Sequence, residues 1–405
     1  MKREFLWVAG GRVLAAVVQA LMLLLLARAV SPADFGIFSA VFGLSVVAQN
    51  VFDLGLGTFV VRERARDRDS PLLVRGLQMS FAASLSMGVV GAAVLAAASL
   101  ADALFLTFVP LIISMAVERN ADVRLGLALA DGRARINVTN LVARRILALI
   151  LFLVLAYVAD LDPIVAFGVS AALAAIVSAV SAHVYIRGTG IPSETQATVR
   201  STLAAATPFW INSVATQARN LDALLVTLLA GPVASGLYAT ASRLTGPLRI
   251  LPTSLAAVLL PQATRLTSDA GVRRRWLRGI YKVTGVMLLV YTALALALPP
   301  LIPLALGADY APSGSAVRIV LVGLVFAAAA SLLSTTLQGW NDAAFVGKAA
   351  AVTTAVCLGA VSLGAVTLGT SGAAVGLSLS FVVQAAALLI RALRLSHPPK
   401  DGIDS

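Results

Sequence analysis

The chain has 405 residues, of which 59% are hydrophobic and 12% charged, with a mean hydropathy of +0.92 and a formal net charge of +12. A soluble domain carries about 25% charged residues, so most of this surface cannot face water. Strand-type alternation is missing, which excludes a β-barrel. Apolar runs of about 20 residues, the length that crosses a hydrocarbon core of ~30 Å, recur from end to end. The fold class is all-α, polytopic and membrane-spanning.

In chain order, hydropathy and helix breakers predict spans over 5–30, 37–61, 76–99, 103–130, 136–158 and 163–186. A second six follow over 201–229, 237–261, 280–302, 314–337, 349–368 and 373–394. The first is read as a retained span. Met1-Lys2-Arg3 and Ala27-Arg28-Ala29 resemble the ends of a signal peptide, but the run between them is long for one and Arg12 interrupts it. The connectors alternate: 31–36, 100–102, 159–162, 230–236, 303–313 and 369–372 hold no Lys or Arg. The opposite ends hold 21 of the 31 basic residues, from Lys2 and Arg3 through Arg62–Arg75, Arg133, Arg135 and Arg273–Lys282 to Lys400. By the positive-inside rule those ends are cytoplasmic, as are both termini. The basic clusters are read as orientation signals that contact anionic membrane lipids, with no nucleic-acid partner.

A short turn repeats at half the chain length. "SPADFGIFSA" (31–40) is answered by "GPVASGLYAT" (231–240), matching Pro32 with Pro232 and Gly36 with Gly236. Both turns follow an odd-numbered span, one six-span unit apart. Parallel six-helix repeats related by an axis along the membrane normal occur among transporters. The expected domains are an N-terminal six-helix lobe (1–190), a cytoplasmic linker (191–200), a pseudo-symmetric C-terminal six-helix lobe (201–395) and a cytoplasmic tail (396–405).

Ten basic residues fall in or at the ends of spans, against four acids: Asp53, Glu118, Asp122 and Asp222. An Arg at mid-span costs roughly 2.5–3.5 kcal/mol on insertion scales and faces protein or water. Arg28, Arg124, Arg249 and Arg318 lie near enough to span ends to snorkel. Arg12, Arg119, Arg144, Arg145, Arg219 and Arg243 are deeper. Helical spacing aligns Arg12 with Gln19, and Ser45 with Gln49 and Asp53; Asn212 lies along one side with Thr216 and Arg219. These stripes predict a polar internal cavity of net positive sign, suited to an anion. The competing reading is interhelical glue, in which Arg119 pairs with Asp122 and Arg219 with Asp222 at i, i+3.

Other chemistry finds no support. No G-x-x-x-x-G-K-[ST] loop appears. The lone Cys357 and the two histidines, His183 and His397, offer neither a disulfide nor a metal set. Ser and Thr lack a His base. The expectation is a protein that is not an enzyme, with no catalytic residues, metal or cofactor.

The segment "NLDALLVTLLAGPVASGLYATASRLTGPLRILPTSLAAVLLPQATR" (220–265) resembles the seventh and eighth spans of polysaccharide-biosynthesis flippases. The shared features are Asp222 entering an apolar run, then Gly236, Tyr238, Ala241 and Arg243 in a G-x-Y-x-x-A-x-R pattern, and the closing Leu260-Pro261. "LLLLARAVSPADFGIFSA", "DLGLGTFVVRERA", "LGADYAPSGSAVRIV" and "GTSGAAVGLSLS" are similar to other stretches of that family. The likeness spans essentially the whole chain. It implies the multidrug/oligosaccharidyl-lipid/polysaccharide (MOP) exporter superfamily, with a MATE-like fold of about 12 transmembrane helices.

Such proteins move undecaprenyl-diphosphate-linked oligosaccharides, such as O-antigen units, across the bacterial inner membrane by alternating access. "GRVLA" (11–15) also resembles the first span of murein-lipid flippases, whose Arg contacts the diphosphate, a role that would fall to Arg12. The second Arg of that stretch is Val18 here, which departs from the peptidoglycan-precursor pattern. On this resemblance Arg12, Arg119, Arg144, Arg145, Arg219, Arg243, Gln19, Gln49 and Asn212 would bind the lipid-linked glycan. Asp53, Glu118, Asp122 and Asp222 are candidates for coupling to H+ or Na+, and polysaccharide-assembly enzymes are expected partners. The rival readings are a small-molecule or multidrug exporter on the same fold, and a membrane glycosyltransferase or polymerase.

Overall fold

Spans in lipid must satisfy every backbone group within the segment, which leaves helices for a chain without barrel patterning. The computed structural model describes residues 2–189, 191, 195–249, 252–253, 256, 263 and 270–396, and among these every regular element is helical. The expected tail, the second half of the span predicted at 237–261, and Arg265, His397 and Lys400 lie outside the described residues. The first half of the chain forms α1 (Lys2–Ala29), α2 (Pro32–Asp53), α3 (Leu56–Arg66), α4 (Pro71–Ala98), α5 (Val109–Ala130), α6 (Ala134–Tyr157) and α7 (Pro163–Arg187). There follow α8 (Val199–Gln217), α9 (Asp222–Ala230), α10 (Pro232–Leu244), α11 (Ala270–Ala297), α12 (Ser313–Gly339) and α13 (Ala343–Ser396). Gly369 (φ 58, ψ −133) divides α13 into the last two spans. With α2–α3 and α8–α9 each counted as one interrupted crossing, about twelve spans result.

Several helices start earlier than hydropathy predicts, and proline explains it. Pro32, Pro71 and Pro232 each occupy the first turn, where a missing N–H costs nothing and φ is already helical. Arg75 therefore lies on a helix, not in a loop. Side-chain caps close other starts: the Asp162 carboxylate accepts from the N–H groups of Ile164 and Val165, both at 3.0 Å.

The larger departure is inside the second predicted span. Leu54 (φ 53) and Gly55 (φ 74) both adopt left-handed conformations, so α2 ends and α3 begins between two apolar turns. Only glycine takes that conformation without cost. Here a Cβ on Gly55 would also overlap the Trp210 backbone of α8.

By contacts the chain groups into two units. One comprises residues up to Val30 with Phe38–Leu221; the other comprises Ser31–Ile37 with the described residues from Asp222 onward. The six-helix lobes expected from the repeat stay a proposal about symmetry. Of the expected linker, Thr195 donates to the Pro71 carbonyl at 2.6 Å, and the Ala197 carbonyl accepts from Arg75 at 2.8 Å. In the first unit, α5 packs against α3, α4, α6 and α7, and α1 lies on α6. In the second, α12 and α13 pack together and carry α9, α10 and α11.

The repeated turn acquires a physical meaning in the second unit. A Cβ on Gly36 would overlap the Pro232 carbonyl, and a Cβ on Gly236 would overlap the Pro32 carbonyl. The first turns of α2 and α10 thus cross backbone to backbone, each proline carbonyl filling the space its partner glycine leaves. Both matched glycines of the sequence repeat serve one reciprocal contact.

Candidate functional site

Polar constructions sit at the level of interrupted or packed spans, two in the first unit and one in the second. In the first unit Asp53 is the last residue of α2, buried at the α2–α3 break. Its Oδ2 accepts from the Gly57 N–H at 3.2 Å, capping α3. Arg119 of α5 donates from Nε to Oδ1 at 2.7 Å and from Nη2 to Oδ2 at 2.6 Å. This fork is the strong form of carboxylate–guanidinium contact. Two acceptors near the end of α2 are met from α8: Trp210 Nε1 donates to the Val51 carbonyl at 3.0 Å, and Ser213 donates to the side-chain Oδ1 of Asn50 at 2.6 Å. Helix α8 clasps the interruption and satisfies it.

One turn along α5, a second network joins α5, α6 and α7. Arg144 is almost wholly buried and sits between two carboxylates, with Nη2 3.0 Å from Glu118 Oε1 and Nη1 2.8 Å from Asp122 Oδ1. Arg145 Nη2 reaches the same Glu118 oxygen at 2.7 Å. Ser178 of α7 donates to Asn140 Oδ1 at 2.6 Å and lies 3.4 Å from Arg144 Nη1. The Asp122 side chain is 43% exposed, whereas that of Glu118 is 17% exposed. The two acids neutralise the two guanidinium groups, so this cluster carries no net charge.

A buried aspartate also marks the start of the long stretch of the second unit. A short 3-10 segment (Ala218–Leu221) interrupts the seventh span, and α9 starts at buried Asp222. Asp222 Oδ2 accepts from the fully buried Tyr238 hydroxyl at 2.8 Å, while Arg243 Nη2 stands 3.7 Å from Oδ1. Ser235 donates to the Ala223 carbonyl at 2.9 Å and ties α10 to α9.

The remaining sequence-predicted residues are placed as follows. Arg12 is exposed on α1 and makes no hydrogen bond or ion pair among the described residues. Gln19 is half-buried two turns further on. Gln49 donates to the Met115 carbonyl at 2.7 Å, linking α2 to α5. Asn212 is exposed on α8 and Arg219 is half-buried in the 3-10 segment. The local Arg119–Asp122 pair suggested by i, i+3 spacing gives way to contacts between helices, Arg119 with Asp53 and Asp122 with Arg144. The structure brings together Asp53 with Arg119, and Glu118 and Asp122 with Arg144 and Arg145, in the first unit. In the second it brings together Asp222, Tyr238 and Arg243.

Sequence reasoning missed a third cluster, at the basic end of the first unit. Arg64 on α3 is buried, and its Nε and Nη2 donate to Asp131 at 2.9 and 3.3 Å. Tyr185 of α7 adds a hydrogen bond at 3.2 Å, and Arg68 approaches at 3.8 Å. Burial alone would raise the Asp131 carboxyl, but the hydrogen bonds and charge of Arg64, helped by Tyr185 and Arg68, outweigh it and hold the group below its ordinary range. Asp131 opens the turn "DGR", the one acid among the basic residues of that connector, and that charge contrast was the available signal.

The family model for polysaccharide biosynthesis proteins matches residues 1–267. No curated protein sequence matches the chain. Among solved structures, the fold is similar to an inward-facing multidrug resistance MATE family transporter of the MOP superfamily. That match has a TM-score of 0.76 at 16% identity and covers 94% of each chain. A MOP superfamily transporter from Pyrococcus furiosus, whose binding pocket is described as having reverse polarity, matches with a TM-score of 0.69 at 16% identity over 97% of this chain and 96% of that one. The lipid II flippase MurJ in an inward closed conformation matches with a TM-score of 0.69 at 13% identity, over 96% and 89%. With most of its length matched by the family model, the chain belongs to the polysaccharide biosynthesis protein family, on the fold of MOP-superfamily transporters and flippases.

Proposed function

We propose that the protein flips an undecaprenyl-diphosphate-linked oligosaccharide, such as an O-antigen unit, from the cytoplasmic to the outer leaflet of the bacterial inner membrane. The glycan and diphosphate pass through a cationic central cavity by alternating access, both termini stay cytoplasmic, and H+ or Na+ provides the coupling. The observation that carries this reading is Arg12, an exposed guanidinium on a membrane span with no partner among the described residues. A charge at that depth is costly unless it meets protein, water or a ligand, and guanidinium donors engage phosphate oxygens in pairs. Family membership and the likeness to a lipid II flippase support the same cargo class.

Arg243 is the matching candidate in the second unit, a guanidinium on α10 that stands 3.7 Å from Asp222. Arg119, Arg144 and Arg145 already face carboxylates. In this reading they join the diphosphate only when a carboxylate releases them, with Arg219, Gln19, Gln49 and Asn212 contacting the remainder of the headgroup. Asp53, Glu118, Asp122 and Asp222 are then the coupling carboxylates. Export of small molecules is the second reading. It draws on the internal neutralisation of those three arginines and on the half-exposed Asp122, which a cationic drug would favour.

The test is complementation of a flippase-deficient strain together with uptake in inverted vesicles. Arg12→Ala and Arg243→Ala are expected to abolish glycan export while the protein remains folded in the membrane, and lipid-linked glycan accumulates on the inner leaflet. Normal export from both variants defeats the assignment, and drug uptake without dependence on lipid-linked glycan selects the second reading.

A further inference from the structure

On the flank of the first unit, α4, α5 and α7 enclose a groove of about 420 Å³ whose walls include Phe81, Leu85, Ile113, Val117 and Ala179. These side chains are those of a lipid-facing surface. One member is not: Asn120 lines the same groove, is 9% exposed, and its Nδ2 has no acceptor among the described residues. A buried amide donor is nearly always paired, and Asn120 belongs to the wall of the groove.

Four residues along α5 carry the rest of the argument. Ile113, Val117, Asn120 and Arg124 follow at intervals of four, three and four, which sets them on one helix face. The Arg124 guanidinium lies over the Phe81 ring, 5.8 Å from its centroid, and Nη1 is 3.3 Å from His183 Nδ1. Among the described residues Arg124 forms no ion pair, unlike Arg119, Arg144 and Arg145. It stands six residues before the end of α5, about 9 Å from the basic-loop end at 1.5 Å per residue, with Asn120 about 6 Å deeper. A cation stacked on the groove's Phe81, an amide donor in its wall and an apolar channel thus follow one another in order of depth.

We propose that this groove binds one anionic glycerophospholipid from the surrounding bilayer. Its phosphate rests against Arg124 beside His183, an ester carbonyl accepts from Asn120 Nδ2, and an acyl chain lies along Phe81, Leu85, Ile113 and Val117. A glycerophospholipid carries its ester carbonyls deeper than its phosphate, which is the order of Arg124 and Asn120. A polyprenyl phosphate has no carbonyl to satisfy Asn120. The site is separate from the residues assigned to transported cargo and stands without that assignment.

The test is native mass spectrometry of the purified full-length chain in detergent, with dioleoylphosphatidylglycerol, dioleoylphosphatidylcholine, dioleoylglycerol and undecaprenyl phosphate offered at equal concentration. Retention of one phosphatidylglycerol in preference to the other three is expected, with affinity falling about tenfold in Arg124→Gln and in Asn120→Leu, the loss of one charge-assisted or one buried hydrogen bond. Leu85→Trp, at a position 58% exposed and so neutral for folding, fills the channel and is expected to remove the bound lipid. Equal retention of phosphatidylcholine or dioleoylglycerol, preference for undecaprenyl phosphate, or undiminished phosphatidylglycerol binding by Leu85→Trp overturns the proposal.

Discussion

Asp53 and Asp222 occupy comparable places in the two units, each a buried aspartate where a membrane span is interrupted, yet they are held very differently. Both Asp53 oxygens are engaged by one guanidinium at 2.6 and 2.7 Å, and an N–H of α3 adds a third contact. Asp222 accepts from a phenol at 2.8 Å and from the Ala223 N–H at 2.7 Å, and the Arg243 guanidinium stands 3.7 Å away. The first arrangement clamps a carboxylate with a two-pronged guanidinium at a break; the second holds its carboxylate through a phenol and a backbone N–H. A transporter needs both kinds of element, since a rigid frame must survive while charged groups change partners.

The comparison breaks most visibly at Arg119. Arg119→Leu leaves Asp53 buried without its counterion, and removal of one partner of such a pair costs about 3–5 kcal/mol. The expected result is loss of folded protein on fluorescence-detected size exclusion, not merely loss of transport. If Arg119→Leu is as stable as wild type, the Asp53 fork is not the frame of the first unit. The same test at Arg243 sharpens the contrast: Arg243→Leu is expected to give a smaller shift in melting temperature than Arg119→Leu, with transport lost at unchanged yield.

Tyr238→Phe probes the second site directly. It removes the hydroxyl that donates to Asp222 and leaves the carboxylate short of a donor in a buried setting. Hydrogen bonds to charged groups contribute about 1.5–3 kcal/mol, so the melting temperature should fall by less than in Arg119→Leu. Asp222→Asn keeps an acceptor for the Tyr238 hydroxyl and should lose less than Tyr238→Phe when measured in the same detergent. A Tyr238→Phe protein more damaged than Arg119→Leu would reverse the ranking of the two sites.

What the sequence made legible follows from locality. Helices, their approximate ends and the Gly36–Gly236 repeat all depend on residues near one another in the chain, or on a motif visible twice. The break at Leu54–Gly55 also had a signal, the D-L-G-L-G run inside an apolar span. Hydropathy averages over that run and reads through it. The ion pairs were not legible, because Arg119 has an acid three residues away on its own helix and instead reaches Asp53, 66 positions distant. Pairing leaves the balance of ten bases against four acids unchanged, but cross-helix carboxylates occupy Arg119, Arg144 and Arg145, and only coordinates reveal which helices face each other. Asn120 was hidden for the converse reason, since nothing in its neighbours announces a buried amide lacking an acceptor.

The smallest expected effect lies at the basic end of the first unit, where Asp131 bridges α3 and α7 through Arg64 and Tyr185. Its carboxyl is held below the ordinary range by Arg64 against the opposing effect of burial, so the folded state binds this proton less tightly than the unfolded one does. The stabilisation is complete above the unfolded value of about 3.9 and disappears as pH falls through the lower folded value. For one proton the slope cannot exceed about 1.4 kcal/mol per pH unit. Thermal melting of detergent-solubilised protein between neutral pH and pH 3 should decline on the acid side. The decline should be shallower in Asp131→Asn, which cannot titrate, than in wild type. Identical acid profiles for the two proteins would mean that Arg64 and Asp131 do not act as a pair in solution, and that the connector after α5 is held by Tyr185 and backbone contacts alone.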